Sequence, residues 1–276
     1  MKLNSISIKQ KVVAGITVAV LASTIIVGVL AQRQARELLE HRLIGIELPS
    51  LLNQISGQID DEVRQMLFAA EQLANNEFIK DAINTTEISP DVEKTLIAQL
   101  NNMRAQYKLN DASVVNLKTA YYWNQNGFLR ELNQQQDGWF FAFRQNSSPT
   151  SVSIFQEASG EVKMFTNYKV LNGMSMSGLS KSMDDMVKLL NGFKIEDTGF
   201  VFLADSSGVV QIHRDRSKSQ TAMNSLFGRE SDKLLDKNNF NLIETEYQGK
   251  KVFVASQYVP TMDWFVIGVA HDEEVF

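Results

Sequence analysis

Between Val12 and Ala31 the chain reads VVAGITVAVLASTIIVGVLA, without one charged side chain. An α-helix of about 20 residues rises about 30 Å, the thickness of a bilayer's hydrocarbon core, so the run is expected to cross a membrane. A cleaved secretory signal has an apolar core of only about 7–15 residues followed by a small-x-small site, and the approach to Gln32 offers neither. An uncleaved signal anchor is therefore expected. Lys2, Lys9 and Lys11 precede the span with no acid among them, whereas Arg33, Arg36, Glu37, Glu40 and Arg42 behind it nearly cancel. The positive-inside bias then leaves residues 1–11 in the cytoplasm, 12–31 in the membrane, and everything after Ala31 outside the inner membrane.

Composition narrows the partners. With 27 Lys or Arg against 32 Asp or Glu, the net charge is −5, which argues against nucleic acid, whose phosphates are held by cationic surfaces. Apolar residues at 44% and charged residues at 21% suffice for packed cores, and 276 residues allow one or two domains. The absence of cysteine removes thiol nucleophiles, thiolate metal sites and disulfides together, without identifying a compartment.

Behind the span, Leu48, Leu52, Ile55, Ile59, Met66, Ala70 and Leu73 recur at helical spacing, which predicts a long amphipathic stalk helix within a helical stalk over 32–108. Pro49 either opens a second helix in its first turn or kinks a continuous one. Ser89, Pro90, Asp91 and Glu93 form a helix start, with Val92, Leu96, Leu100 and Met103 as its apolar stripe. From Ser113 the period changes to two. VVNLKTAYYW, a turn at Asn124–Gly127 and FLREL predict a hairpin, and SVSIFQ, EVKMFTNYKV and GMSMSGLS predict three strands separated by turns at Ser159–Gly160 and Asn172–Gly173. After a short helix at about 183–190 the order repeats. GFVFLAD and VVQIH flank a turn at Ser206–Gly208, a helical pattern covers 225–235, and NLIETEY, KKVFVASQYV and DWFVIGVA close the set. Two α+β modules with antiparallel sheets, in series on one long helix, are the expected architecture.

The chain resembles the double Cache sensor regions of bacterial methyl-accepting chemotaxis proteins, from KQKVVAGITVAVLAS through GFVFLADSSGVVQIH to DWFVIGVAHDEE. The resemblance implies a membrane-distal PAS-like ligand-binding module at 109–192, a membrane-proximal PAS-like module at 193–276, and a location in the bacterial inner membrane with the modules in the periplasm. It also implies a small-molecule ligand taken by the distal module, and cytoplasmic signalling partners reached through a part of the protein beyond this chain, behind a second span. The same sensor halves occur on histidine kinases and diguanylate cyclases. An adhesion or structural anchor without a small-molecule site is the alternative from another class. The stalk stripe is also the expected contact of a homodimer.

In this family the segment crossing the sheet helps hold the ligand, and here that segment is QQQDGWFFAFRQ, where Trp139, Phe140, Phe141 and Phe143 surround one acid, Asp137. Aromatic walls exclude water and strengthen a charge contact, and a few polar groups fix orientation. Tyr121 and Trp123 share a strand face, and Asn167, Tyr168 and Ser177 lie on later strands. The expected ligand-binding set is therefore Tyr121, Trp123, Asp137, Trp139, Phe140, Asn167, Tyr168 and Ser177, set against the reading that most of these aromatics are core. Members that bind amino acids resemble one another in an Arg-x-Trp-Tyr stretch, whose Arg takes the carboxylate, and a downstream Asp that takes the ammonium. Here those positions are Asp137, Trp139, Phe140 and about Gly178. Loss of the guanidinium and gain of an acid predicts a cationic or amine-like ligand, with small carboxylates and purine-like aromatics next in order.

No grouping of nucleophile and base, no paired carboxylates on apolar strands and no glycine-rich phosphate loop occurs, so no catalytic residue and no cofactor are expected. Asp184–Asp185 is a helix start. His213, Arg214 and Asp215 read as a polar turn capping a helix rather than a metal site, for want of a second ligand at usable spacing. His41 and His271 read as solvated. The methionines at 164, 174, 176, 183 and 186 are explained by core packing.

Overall fold

The computed structural model describes residues 8–85, 88–156, 161–193, 195 and 198–275. Lys2, the Ser159–Gly160 turn and Phe276 lie outside the described residues.

Helix α1 (Ile8–Arg42) carries exposed apolar side chains all round, among them Val12, Ile16, Val20, Ile26 and Val29. Its hydroxyl residues turn inward on their own backbone: Thr17 donates to the Val13 carbonyl, and Ser23 and Thr24 to that of Val20. An apolar surface with its polar groups satisfied within the segment is what hydrocarbon demands of a helix, and α1 is long and apolar enough to cross a membrane. A wide π turn at Leu43–Glu47 separates it from α2 (Leu48–Asn75), where the Leu48 N–H reaches back to the Leu43 carbonyl. Pro49 lies in the first turn of α2, and the widened turn accommodates its missing N–H and its ring without breaking the path, since Leu48 keeps helical dihedrals.

Helix α3 (Glu77–Asn84) is capped by Asn76, whose Oδ1 accepts from the Ile79 N–H. Propensity did not announce this short helix. Helix α4 (Pro90–Tyr107) starts where the sequence placed it, with Ser89 Oγ accepting from the Val92 N–H and Pro90 at the first position.

Two antiparallel sheets follow. The first contains β1 (Asp111–Asn116), β2 (Tyr121–Asn124), β3 (Gly127–Glu131), β4 (Thr150–Gln156), β5 (Val162–Lys169) and β6 (Ser175–Ser182), in the order β3-β2-β1-β6-β5-β4. Helix α5 (Gly138–Gln145) connects β3 to β4, and α6 (Met183–Gly192) leads to the second sheet. That sheet contains β7 (Phe200–Asp205), β8 (Val210–Ile212), β9 (Asn241–Tyr247), β10 (Lys250–Val259) and β11 (Trp264–His271), in the order β8-β7-β11-β10-β9. Helix α7 (Met223–Phe227) and a 3-10 helix at Arg229–Leu235 stand between β8 and β9 where α5 stands in the first sheet. Removing β3 from the first order makes the two topologies the same. The stretch VVNLKTAYYW is itself a β1-β2 hairpin rather than one arm of one. Asn116 Oδ1 accepts the N–H groups of Lys118 and Thr119 and turns the chain early, so FLREL becomes an additional edge strand.

The apolar stripe of α2 is covered by both sheets of the same chain. Leu48, Leu52, Ile55 and Ile59 join Phe253, Ala255 and Val266 of the second sheet, while Val63, Met66, Ala70 and Leu73 join Val114, Met164 and Leu179 of the first, in one continuous core. Close approach needs Gly268: a Cβ there would stand 2.8 Å from Leu52 Cδ2 and 3.0 Å from Ile195 Cδ1. Polar contacts fix the register of the stalk against each sheet. Asp60 accepts from the Thr261 N–H at 3.1 Å and from its hydroxyl, and Glu62 pairs with Lys181. Met164, Met176, Met183 and Met186 are core, as expected, whereas Met174 is 42% exposed.

Candidate ligand-binding face

Strand alternation gives the first sheet two unlike faces. One, with Ala112, Val114, Trp123, Met164 and Leu179, packs on the stalk helices. The other carries Asp111, Ser113 and Val115 of β1, Tyr122 of β2, Lys163, Asn167 and Lys169 of β5, and Met176 and Ser180 of β6, with α5 laid across part of it through Phe140 and Phe143.

Two buried or half-buried carboxylates on this second face, Asp137 and Asp111, are ion-paired, and the Lys163 that serves Asp111 also lies 3.5 Å from Glu161. Arg130 on β3 grips Asp137 in a two-pronged fashion, Nη1 to Oδ2 at 2.5 Å and Nη2 to Oδ1 at 2.6 Å, and the Asn133 N–H donates to Oδ2 at 3.0 Å. The Asp137 side chain is 4% exposed and that of Arg130 is 39% exposed. The guanidinium holds the Asp137 carboxyl below its ordinary pKa, against burial, and Asp137 in turn raises that of Arg130. Asp111 accepts from Gln125 Nε2 at 2.9 Å, Ser180 Oγ at 2.8 Å and Lys163 Nζ at 3.0 Å. Burial pushes this carboxyl up, but the three donors together outweigh it and leave it below the usual range. Between the two pairs, burial raises the Tyr122 phenol, which shares a hydrogen bond with Ser113. Ser113 Oγ also donates to the Gly178 carbonyl at 3.0 Å.

Of the eight residues singled out from sequence, three belong to this region. Asp137 and Asn167 are buried on it, and Phe140 is fully buried at the root of α5. Trp139, 48% exposed, stands on α5 beside them with its ring edge-on to Phe140 at 6.1 Å. The other four lie on the opposite face of the sheet. Tyr121 and Trp123 do share a face, but it is the stalk-facing one, where they pack edge-on with Phe128. Tyr168 packs there too, and Ser177 Oγ donates to the Ala70 carbonyl of α2 at 2.5 Å. Alternation told which residues travel together, and only packing told which way they point.

Sequence reasoning missed Arg130, Asp111 and Lys163. The missing guanidinium of the crossing segment was legible; that β3 sets Arg130 against Asp137 was not, because β3 was expected as part of a simple hairpin. Gly178 is close-packed: a Cβ there would stand 2.8 Å from Asn167 Oδ1 and 3.0 Å from Ser113 Oγ. The Asn167 amide therefore occupies the space that a larger residue at 178 would need.

The corresponding face of the second sheet is apolar. Phe200, Phe202, Phe227, Tyr247, Val254, Phe265 and Ile267 fill it, with Phe202 stacked on Phe227 at 6.0 Å. His213, 3% exposed, packs between Phe200 and Phe202, its Nδ1 accepting from the Asp215 N–H at 2.9 Å while Nε2 is buried without a hydrogen-bond partner among the described residues. Burial lowers its pKa. Asp215 caps the 3-10 turn at Arg216–Lys218 through the Ser217 N–H. Among the described residues no three His, Asp or Glu side chains converge as a metal site would require.

No family model matches the chain. Solved structures do. The ligand-binding domain of the Pseudomonas fluorescens chemoreceptor CtaA in complex with L-isoleucine superposes with a TM-score of 0.68 at 14% identity, over 89% of this chain and 98% of that one. That of the Pseudomonas aeruginosa amino acid chemoreceptor PctB with L-Arg gives 0.66 at 14%, over 86% and 98%. That of the P. aeruginosa amino acid chemoreceptor PctC with GABA gives 0.61 at 15%, over 81% and 97%. At such identities the likeness is one of fold, and it extends to both sheets and the stalk: the chain has the double Cache fold of chemoreceptor ligand-binding domains.

Proposed function

We propose that this chain is the sensor region of an inner-membrane receptor, with α1 as anchor, a membrane-distal module at 109–192 that takes a small zwitterionic ligand, and a proximal module at 193–276 that relays the change along the stalk. The observation that carries this reading is the pairing of Arg130 with Asp137 under α5, on a sheet face otherwise lined by Ser113, Tyr122 and Asn167. A cationic ligand was the expectation from an unpaired Asp137. Because Arg130 already neutralises that carboxylate, a bare amine gains little there. A ligand with both charges can replace the pair with two of its own, carboxylate to Arg130 and ammonium to Asp137. The amino acids and GABA held by domains of the same fold are ligands of that kind. Binding acts on signalling only through its difference in affinity for two arrangements of the module.

The dimer contact is proposed on the stalk face away from the sheets, since the original stripe is buried within the chain. Ile46 and Phe68 are exposed along the stalk, Phe68 by 56%. A Phe68→Glu chain that stays as dimeric as wild type in light scattering would remove that contact.

The ligand reading is tested by thermal shift of the chain in lipid nanodiscs against L-amino acids, GABA, simple amines and simple carboxylates. A ligand at about 100 times its dissociation constant adds about 2.7 kcal/mol. The expected result is a shift with a zwitterion that is lost in Arg130→Gln, and none with amines alone. A shift with amines alone restores the cationic reading, and no shift with any zwitterion removes the proposal.

A further inference from the structure

At the tip of the first sheet farthest along the stalk from α1, the β1-β2 turn, the end of α5 and the β5-β6 turn enclose an open cavity of about 470 Å³. It lies at the opposite end of α5 from the Arg130–Asp137 pair, with Lys169 as the one strand residue of that face that also lines it. Lys118, Arg144 and Lys169 line it, with no Asp or Glu among the lining residues. In a chain of net charge −5 that concentration of positive charge is local and against the average.

Each cation has a distinct setting. Lys169, 4% exposed, donates to the carbonyls of Phe143 at 2.6 Å, Arg144 at 3.1 Å and Asn146. These are carbonyls at the C-terminal end of α5, so the partial negative charge gathered there is offset at the cavity floor. Arg144 is held from two sides, by donation from Nη1 to the Leu117 carbonyl at 3.2 Å and by its guanidinium over the Phe141 ring at 5.0 Å. Its remaining N–H groups are fixed in position and face no carboxylate among the described residues. Lys118 is exposed on the turn opposite. Against these charges stand two apolar side chains with little cover, Leu171 at 52% and Met174 at 42% exposure, on a turn held by Val170 N–H to Ser175 O at 2.9 Å and Gly173 N–H to Val170 O at 3.1 Å. A volume of this size suits a small molecule. Fixed cations beside an uncovered apolar wall suit one that is an anion at one end and hydrocarbon at the other.

We propose that the cavity between Lys118, Arg144, Leu171 and Met174 is a second ligand site, for a small organic carboxylate with a short apolar tail. The carboxylate lies on the Arg144 fork with Lys118 adding charge, and the tail lies on Leu171 and Met174. Because Arg144 is on α5, whose other end begins at Asp137, an occupant here loads the same helix from the opposite end.

The test is isothermal titration of the chain in nanodiscs with butyrate, n-butylamine and inorganic phosphate, on wild type, Lys118→Gln, Arg144→Gln, Met174→Gln and Arg130→Gln. Butyrate is expected to bind, more weakly as salt rises, with butylamine silent and phosphate at least several-fold weaker. Arg144→Gln is expected to lose about tenfold in affinity and Lys118→Gln and Met174→Gln a few-fold each, while Arg130→Gln leaves butyrate unchanged. Lys118 and Met174 are exposed, so their variants keep the test decisive should Arg144→Gln fail to fold. No binding of butyrate, equal binding of phosphate, or loss on Arg130→Gln with retention in the tip variants would overturn the proposal. Failure of the zwitterion site leaves this result untouched, since neither site shares a charged residue.

Discussion

The two sheets of this protein share one strand order and differ in what fills the face turned away from the stalk. On the first sheet that face is built from charge: Arg130 on Asp137, and Lys163, Ser180 and Gln125 on Asp111. On the second it is built from rings, with Phe200, Phe202, Phe227, Tyr247 and Phe265 closing it. Burying ion pairs costs desolvation that apolar packing avoids, so a fold that needs only stability at both positions has no reason to keep the polar version at one. Under the proposed function, a common scaffold is divided into a sheet whose charged partners a ligand can replace and a sheet that holds together. The same stalk helix carries both, tied to the first by Glu62–Lys181 and to the second by Asp60–Thr261.

The comparison can be broken most forcefully at Phe202. It is fully buried and stacked on Phe227, so Phe202→Ala is expected to cost about 3–5 kcal/mol in urea unfolding. Zwitterion affinity should be unchanged under conditions where the variant is folded; an affinity loss matching that of Arg130→Gln would mean the two sheets are not divided in role. Arg130→Gln leaves a buried carboxylate with only the Asn133 N–H. The expected cost is about 1–3 kcal/mol, below that of a fully buried pair because the guanidinium is 39% exposed. Here ligand response should vanish as well. Gly268→Ala, which drives a methyl to 2.8 Å from Leu52 Cδ2, should cost about 1–3 kcal/mol by forcing the stalk off the second sheet.

Acid should act on the protein in two steps. His213 has a folded pKa below its unfolded value of 6.5. The unfolded chain then binds the proton first, and stability supplied by the second sheet declines as pH falls from about 6.5 toward the lowered folded pKa. Asp111 and Asp137 also have folded pKa values below their unfolded value of 3.8. Their contribution is fully present above about 3.8 and declines only below it, as pH falls through the lowered values. Melting curves between pH 7 and 3 should show an early step that His213→Asn removes and a late one that it leaves. An early step that persists in His213→Asn would assign it elsewhere. The smallest effect is expected at Trp139, 48% exposed: Trp139→Ala should change stability by no more than about 0.5 kcal/mol. A larger loss would make this ring structural rather than part of the ligand face.

The fold was legible because its signals are periodic and redundant. The uncharged span, the α2 stripe from Leu48 to Leu73, the Ser89–Pro90 start and the paired sets of alternating strands each reinforce one architecture. Where one short-range interaction decides, the sequence was silent. The Asn116 turn that made an extra strand and the Asn76 cap that made α3 are examples. The site was half legible. Asp137, Phe140 and Asn167 follow from the crossing segment and strand alternation. Arg130 does not, because the partner of a buried acid is found across a sheet, and no local pattern marks it. That Tyr121, Trp123, Tyr168 and Ser177 turn toward the stalk was not legible for the same reason: a period of two gives parity but not direction.

The most direct measurement is isothermal titration of the chain in nanodiscs with a full panel of L-amino acids and GABA, run in parallel on Arg130→Gln and His213→Asn. Binding of at least one zwitterion that is lost in Arg130→Gln and kept in His213→Asn is the predicted result. Binding that survives Arg130→Gln but is lost in His213→Asn, or no zwitterion bound at all, would contradict the assignment of sensing to the polar face of the first sheet.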